Sequence, residues 1–143
     1  MWVNFNMATL SLYTLIEKCS EQKTKAERVE ALKYNGTPAV KAIIQYMFHD
    51  DVKFLLPETD PPYTPSSFEN SARLASDIRK INYFVEGGLE AKQIVRERVF
   101  IELLESIDPN DAILLLHVKN KKSPFKGLTK DVAIAAFPEL FPT

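Results

Sequence analysis

A single cysteine, Cys19, excludes an internal disulfide and a cluster of thiolate metal ligands, and it fits a reducing compartment. A lone cysteine on a helix is expected to be half-buried packing. Long apolar runs are missing as well: no window approaches the roughly 18 apolar residues of a membrane span, so no membrane partner and a cytoplasmic location are expected. The opening Met1-Trp2-Val3-Asn4-Phe5-Asn6-Met7 lacks the basic flank and longer apolar stretch of a signal peptide. Met7 offers a second start, and residues 1–8 are expected to be a disordered extension ahead of one helical domain over 9–143. A dominant charge is missing too. With a net charge of −1 the chain has no long-range field that marks a general polyanion binder.

The 143 residues can bury a core without staples, and 45% hydrophobic with 26% charged residues is ordinary for a globular chain. The charge is unevenly placed. Up to Leu115 the chain carries 13 Lys and Arg against 17 Asp and Glu; from Leu116 onward it carries 5 against 2. The late cations Lys119, Lys121, Lys122, Lys126 and Lys130 surround Ser123, Pro124 and Gly127, which predicts a basic loop. Lysines on such a loop can approach phosphates and release their counterions. A solvated surface loop is the plain alternative.

Helical spacing and cap residues mark most of the chain. Leu10, Leu12, Tyr13, Leu15 and Ile16 share one face after Thr9 or Ser11, predicting a first helix to about Cys19. Thr24 and Glu27 form a capping box for a second helix, which should stop at Asn35-Gly36 with glycine in the left-handed conformation. Thr37-Pro38 opens a third, with Val40, Ile43, Ile44, Met47 and Phe48 as its stripe. Pro57, Pro61, Pro62 and Pro65 exclude regular structure over 51–67, where Val52, Phe54, Leu55, Leu56 and Tyr63 predict an ordered loop lying across the helices. Phe68, Leu74, Ile78 and Ile81 then predict a helix to Tyr83 or Phe84. After Gly87-Gly88 a long helix should turn Ile94, Val95, Val99, Ile101, Leu103, Leu104 and Ile107 inward. Asp108-Pro109 starts a helix through Val118, and Thr129 starts the last, which ends before Pro138. The class is all-α: a compact bundle of six to seven helices with a long proline-rich loop.

Catalytic signatures are lacking. His49-Asp50-Asp51 is the one place where histidine and carboxylates gather, but neighbours on a helix diverge and do not converge on a metal. His117 sits in an apolar run, as a half-buried side chain or a phosphate contact. Gly87-Gly88 has no strand before it, so it is a turn and not a phosphate cradle. No nucleophile elbow, dinucleotide fingerprint or nucleotidyltransferase lysine motif surrounds the serines and carboxylates. No enzyme activity, cofactor or metal is expected.

From Leu12 to Pro142 the order of features resembles the N-terminal helical DNA-binding domain of ATP-dependent DNA ligases of the phage T4 type. Leu15-Ile16-Glu17 through Lys25-Ala26-Glu27-Arg28-Val29-Glu30-Ala31-Leu32 looks like its opening helix pair. Arg79-Lys80, Gly88 and Ala91 are similar to a helix junction of that domain. Ile113 to Lys119, then Gly127-Leu128-Thr129 and Val132 to Pro142, resemble its terminal pair, closed by Phe137-Pro138-Glu139-Leu140-Phe141-Pro142. The family's Arg-Arg/Asp-Leu-x-x-Gly stretch is replaced by His117 to Gly127. The resemblance implies a phage-encoded relative of the ligase clamp without a catalytic domain, working in the host cytoplasm. It would hold double-stranded DNA by its backbone, without sequence preference, through Lys119, Lys121, Lys122, Lys126, Lys130 and Arg79. The alternative is a protein-interaction module on the same scaffold that offers its proline-rich segment to a replication or transcription protein, with Phe54, Tyr63 and Phe68 as anchors.

Overall fold

Each early helix begins where a hydroxyl can take up a free backbone amide. In the computed structural model, which describes residues 10–142, Ser11 accepts from the Thr14 amide and starts α1 (Leu12–Ser20). Thr24 does the same for α2 (Lys25–Tyr34), accepting from the Glu27 amide at 3.1 Å while its hydroxyl donates to the Glu27 carboxylate at 2.9 Å. Thr37 caps α3 (Pro38–Phe48), with Pro38 in the first turn. The expected extension over 1–8 lies outside the described residues.

Gly36 does follow α2, though for a different reason from the one expected. Its φ is not positive; a Cβ there would meet the Phe137 ring at 2.8 Å, so glycine lets the last helix pack against the second. Beyond Phe68 the expected single helix to Tyr83 or Phe84 is replaced by α4 (Arg73–Ser76) and a 3-10 helix, Ile78–Tyr83. Here Ser76 Oγ donates to the Arg73 carbonyl and competes with the helical ladder, while the Asp77 carboxylate pairs with the Arg73 guanidinium at 2.6 Å across the same turn. Leu74 and Ile81 still reach the core, whereas Phe68 is 76% exposed.

The long helix is α5 (Gln93–Ser106), followed by α6 (Pro109–Lys119) behind the Asp108 cap and α7 (Lys130–Ala136) behind the Thr129 cap. In α5 the buried residues are Phe100, Leu103 and Leu104, with Ile107 following; Ile94, expected inside, is 78% exposed. Among the described residues there is no strand, only an isolated antiparallel bridge between Phe54 and Val85. One hydrophobic core joins residues of α1 to α7, with Ile16, Ile43, Ile44, Leu104 and Leu114 fully buried. No described helix is long and apolar enough to cross a membrane.

Candidate functional site

The end of α6, the loop after it and the start of α7 hold five of the six cations singled out above, and two of them, Lys119 and Lys121, turn inward. Lys119 is 4% exposed; its ammonium donates to the carbonyls of Pro57 and Glu58 at 2.8 and 2.9 Å and to Asn120 Oδ1 at 2.9 Å. Burial pulls its pKa down, against the opposing pull of Asp60 and Glu58. Lys121 donates to the carbonyls of Tyr46 and His49 at 3.0 and 2.5 Å, satisfying orphan acceptors at the end of α3. Burial lowers it to about 8. Expected on a phosphate-facing surface, Lys119 and Lys121 instead tie the loop to two other segments.

Lys130 is exposed but paired, its Nζ lying 2.6 Å from Asp50 Oδ1. That contact holds the Asp50 carboxyl below its ordinary range. Lys122, Lys126 and Arg79 are exposed and have no ion pair among the described residues. Lys126 lies beside Glu17, Glu21 and Arg28, and Arg79 stands apart on the 3-10 helix. Lys53, not singled out from the sequence, is exposed and close enough to Lys121 to lower its pKa further. The cations therefore do not form one continuous face: acids interrupt it at Asp50, Glu17 and Glu21.

The histidines carry no such chemistry. His49 ends α3, stacks on Phe141 with ring centroids 5.9 Å apart, and takes the Asp51 amide on Nδ1 at 3.1 Å. His117 Nδ1 lies 3.0 Å from the Ile113 carbonyl, one turn back in its own helix. Among the described residues no three His, Cys, Asp or Glu gather around a point that could hold a metal. Cys19 is buried, and burial pushes its thiol up to about 12.

The second candidate surface follows α5. Gln93 Nε2 donates to the Leu55 carbonyl at 2.9 Å at one end, and Glu105 Oε2 accepts the Thr64 amide at 2.7 Å at the other. The proline-rich strap 55–64 is therefore laid along the helix for about 18 Å at 1.5 Å rise per residue. Prolines suit this course because they have no amide to leave unsatisfied. Between strap and helix opens a cleft of about 240 Å³, walled by Leu56, Pro57, Pro61 and Pro62, floored by Phe100 and Ile101, and edged by Asp60 and Glu97. Ile94, Glu97 and Ile101 fall on one side of α5 at helical spacing, so the exposed Ile94 continues the cleft along the helix. Of the expected anchors, Phe54 and Tyr63 pack against the core and Phe68 stands outward. The cleft was missed because Ile94 and Ile101 fit the inward helical period.

Residues 15–123 match the model of a family of unknown function, DUF6433. No curated protein and no solved structure matches the chain.

Proposed function

Since the chain belongs to the DUF6433 family, whose description assigns no activity, its function has to be argued from its surfaces, and we propose a non-catalytic protein-interaction module. The observation that carries this reading is the contrast between the two candidate surfaces. Lys119, Lys121 and Lys130 are spent on internal partners, whereas Ile94 is 78% exposed beside an apolar cleft that the molecule does not fill. A concave, mostly apolar site is the usual form of a binding pocket, and Ile94 adds an exposed apolar side chain one turn away on the same side of α5. A partner that handles DNA, in replication or transcription, fits the ligase-domain resemblance.

The test is a photo-crosslinking residue placed at position 94 in cells of the encoding organism. A discrete protein adduct is expected, and that protein, once purified, should bind the chain directly and about tenfold more weakly after Ile101→Asp, the cost of wetting one central contact. Direct binding unaffected by Ile101→Asp would overturn the reading, as would the absence of any adduct.

A second reading keeps the accessory DNA-binding domain, with duplex backbone contacts limited to the exposed Lys122, Lys126 and Arg79, since Lys130 is held by Asp50. What favours it is the stiffness of the loop: Lys119 and Lys121 anchor its start, Ser123 Oγ takes the Phe125 amide at 3.2 Å, and Gly127 packs against the Ser20 carbonyl. Three phosphate contacts give a salt slope of about −3. Fluorescence anisotropy on a labelled duplex reads it, and Lys122→Glu with Lys126→Glu should abolish binding at low salt.

A further inference from the structure

The cleft beside α5 also carries information about what fits it. Its volume of about 240 Å³ is below that of pockets for drug-sized ligands and suits one large apolar side chain from a partner. Its polar edge is acidic. Asp60 and Glu97 line the cleft, and Glu58 and Asp60 both act on Lys119 at its back. Lys119 also lines the cleft and attracts Asp60 and Glu58, but it is 4% exposed with its ammonium turned onto the Pro57 and Glu58 carbonyls; Glu97 accepts from Gln93 Nε2 at 2.9 Å, and among the described residues neither Asp60 nor Glu97 is in an ion pair. Arg98 lies 3.8 Å from Glu102, an i,i+4 pair on the exposed part of α5. An apolar hole whose edge holds Asp60, Glu97 and nearby Glu58 against the single inward-turned Lys119 is net acidic and selects a basic partner, because an acidic one would bring like charges together.

We infer that the cleft between the proline-rich strap and α5 receives a basic segment of a partner protein, which inserts one large apolar side chain against Ile101 and Leu56 while flanking Lys or Arg residues meet Asp60 and Glu97. The inference rests on the interaction-module reading and adds the partner's chemistry to it. Ile94 extends the apolar contact along the helix. The inward side of the strap is held by Lys119, so the cleft exists before the partner arrives and little ordering is spent on forming it.

Three synthetic probes test this by NMR titration of the full chain: a lysine-rich alanine peptide with one central Phe, the same peptide with every Lys replaced by Glu, and the lysine peptide with Ala in place of Phe. The first is expected to shift the amides of Leu56 and Ile101 and to bind at least about tenfold more tightly than the other two. Asp60→Asn with Glu97→Gln should weaken it about fivefold, as two rim charges of ordinary strength would. Equal binding of the Glu peptide at the same amides overturns the charge assignment and leaves the module reading standing. Equal binding of the Ala peptide, or shifts away from Leu56 and Ile101, overturns the anchor. Absence of any shift at millimolar peptide overturns the inference as a whole, while the position-94 crosslink reports separately on the underlying reading. Unchanged circular dichroism of the double variant separates lost contact from lost fold.

Discussion

Lys121 adopts φ 58°, a left-handed conformation that costs an L-residue on the order of 1 kcal/mol. Its two bonds to the end of α3 offset that cost. Lys121→Ala keeps the strain and loses the bonds, so urea unfolding should show a loss of about 2 kcal/mol. Lys121→Gly also loses the bonds but relieves the strain, and it should be about 1 kcal/mol more stable than the alanine variant. Asp111 shows a different balance. Fully buried on α6, it accepts the Tyr13 amide at 2.8 Å and so serves the first turn of α1 from another helix; among the described residues its second oxygen has no hydrogen-bond partner. Burial pushes its carboxyl up to about 7 from 3.8. Between those values the folded chain holds a proton that the unfolded chain has released, so stability should fall as pH rises from about 4 to about 7 and level off above. The change is on the order of a few kcal/mol, read as a falling urea midpoint, and Asp111→Asn should flatten it.

At the scale of elements, the junctions between helices decide more than the helices do. Gly127 meets the Ser20 carbonyl so closely that an added Cβ would lie 2.1 Å from that oxygen. Neither backbone can yield without moving α1 or the loop, so Gly127→Ala should cost about 2–3 kcal/mol in thermal or chemical unfolding. The strap depends on Lys119 in the same way. Lys119→Met keeps the packing of the side-chain stem but leaves the Pro57 and Glu58 carbonyls without their ammonium. Amide exchange and proteolytic cutting over 55–64 should rise well before the helices unfold, because between Leu55 and Thr64 the strap backbone then keeps only the exposed bond from Asn120 Nδ2 to the Glu58 carbonyl among the described residues. The broken segment at 68–84 has a local contribution, since Ser76 Oγ bonds back to the Arg73 carbonyl and competes with the ladder where α4 ends.

Over the whole molecule the distribution of charge matters more than its sum. A net −1 with Lys119 and Lys121 turned inward leaves few contacts for a polyanion, while the cleft along α5 faces solvent with an acidic edge. Ile94→Asp should therefore change global stability by no more than about 0.5 kcal/mol, as expected for an exposed position, while removing the partner adduct. The sequence by itself determined the all-helical class, the caps at Thr24, Thr37, Asp108 and Thr129, and the proline-rich crossing, because capping and backbone restriction act within a few residues; for α1 it left Thr9 and Ser11 open, and the fold uses Ser11. Tertiary structure alone decided which cations remain outside, that Gly36 makes room for Phe137, and that Ile94 stands in solvent while Phe100 is buried. These depend on which segment lies opposite. Lys119 meets carbonyls more than 60 residues away in the chain, and no local pattern encodes a partner at that separation.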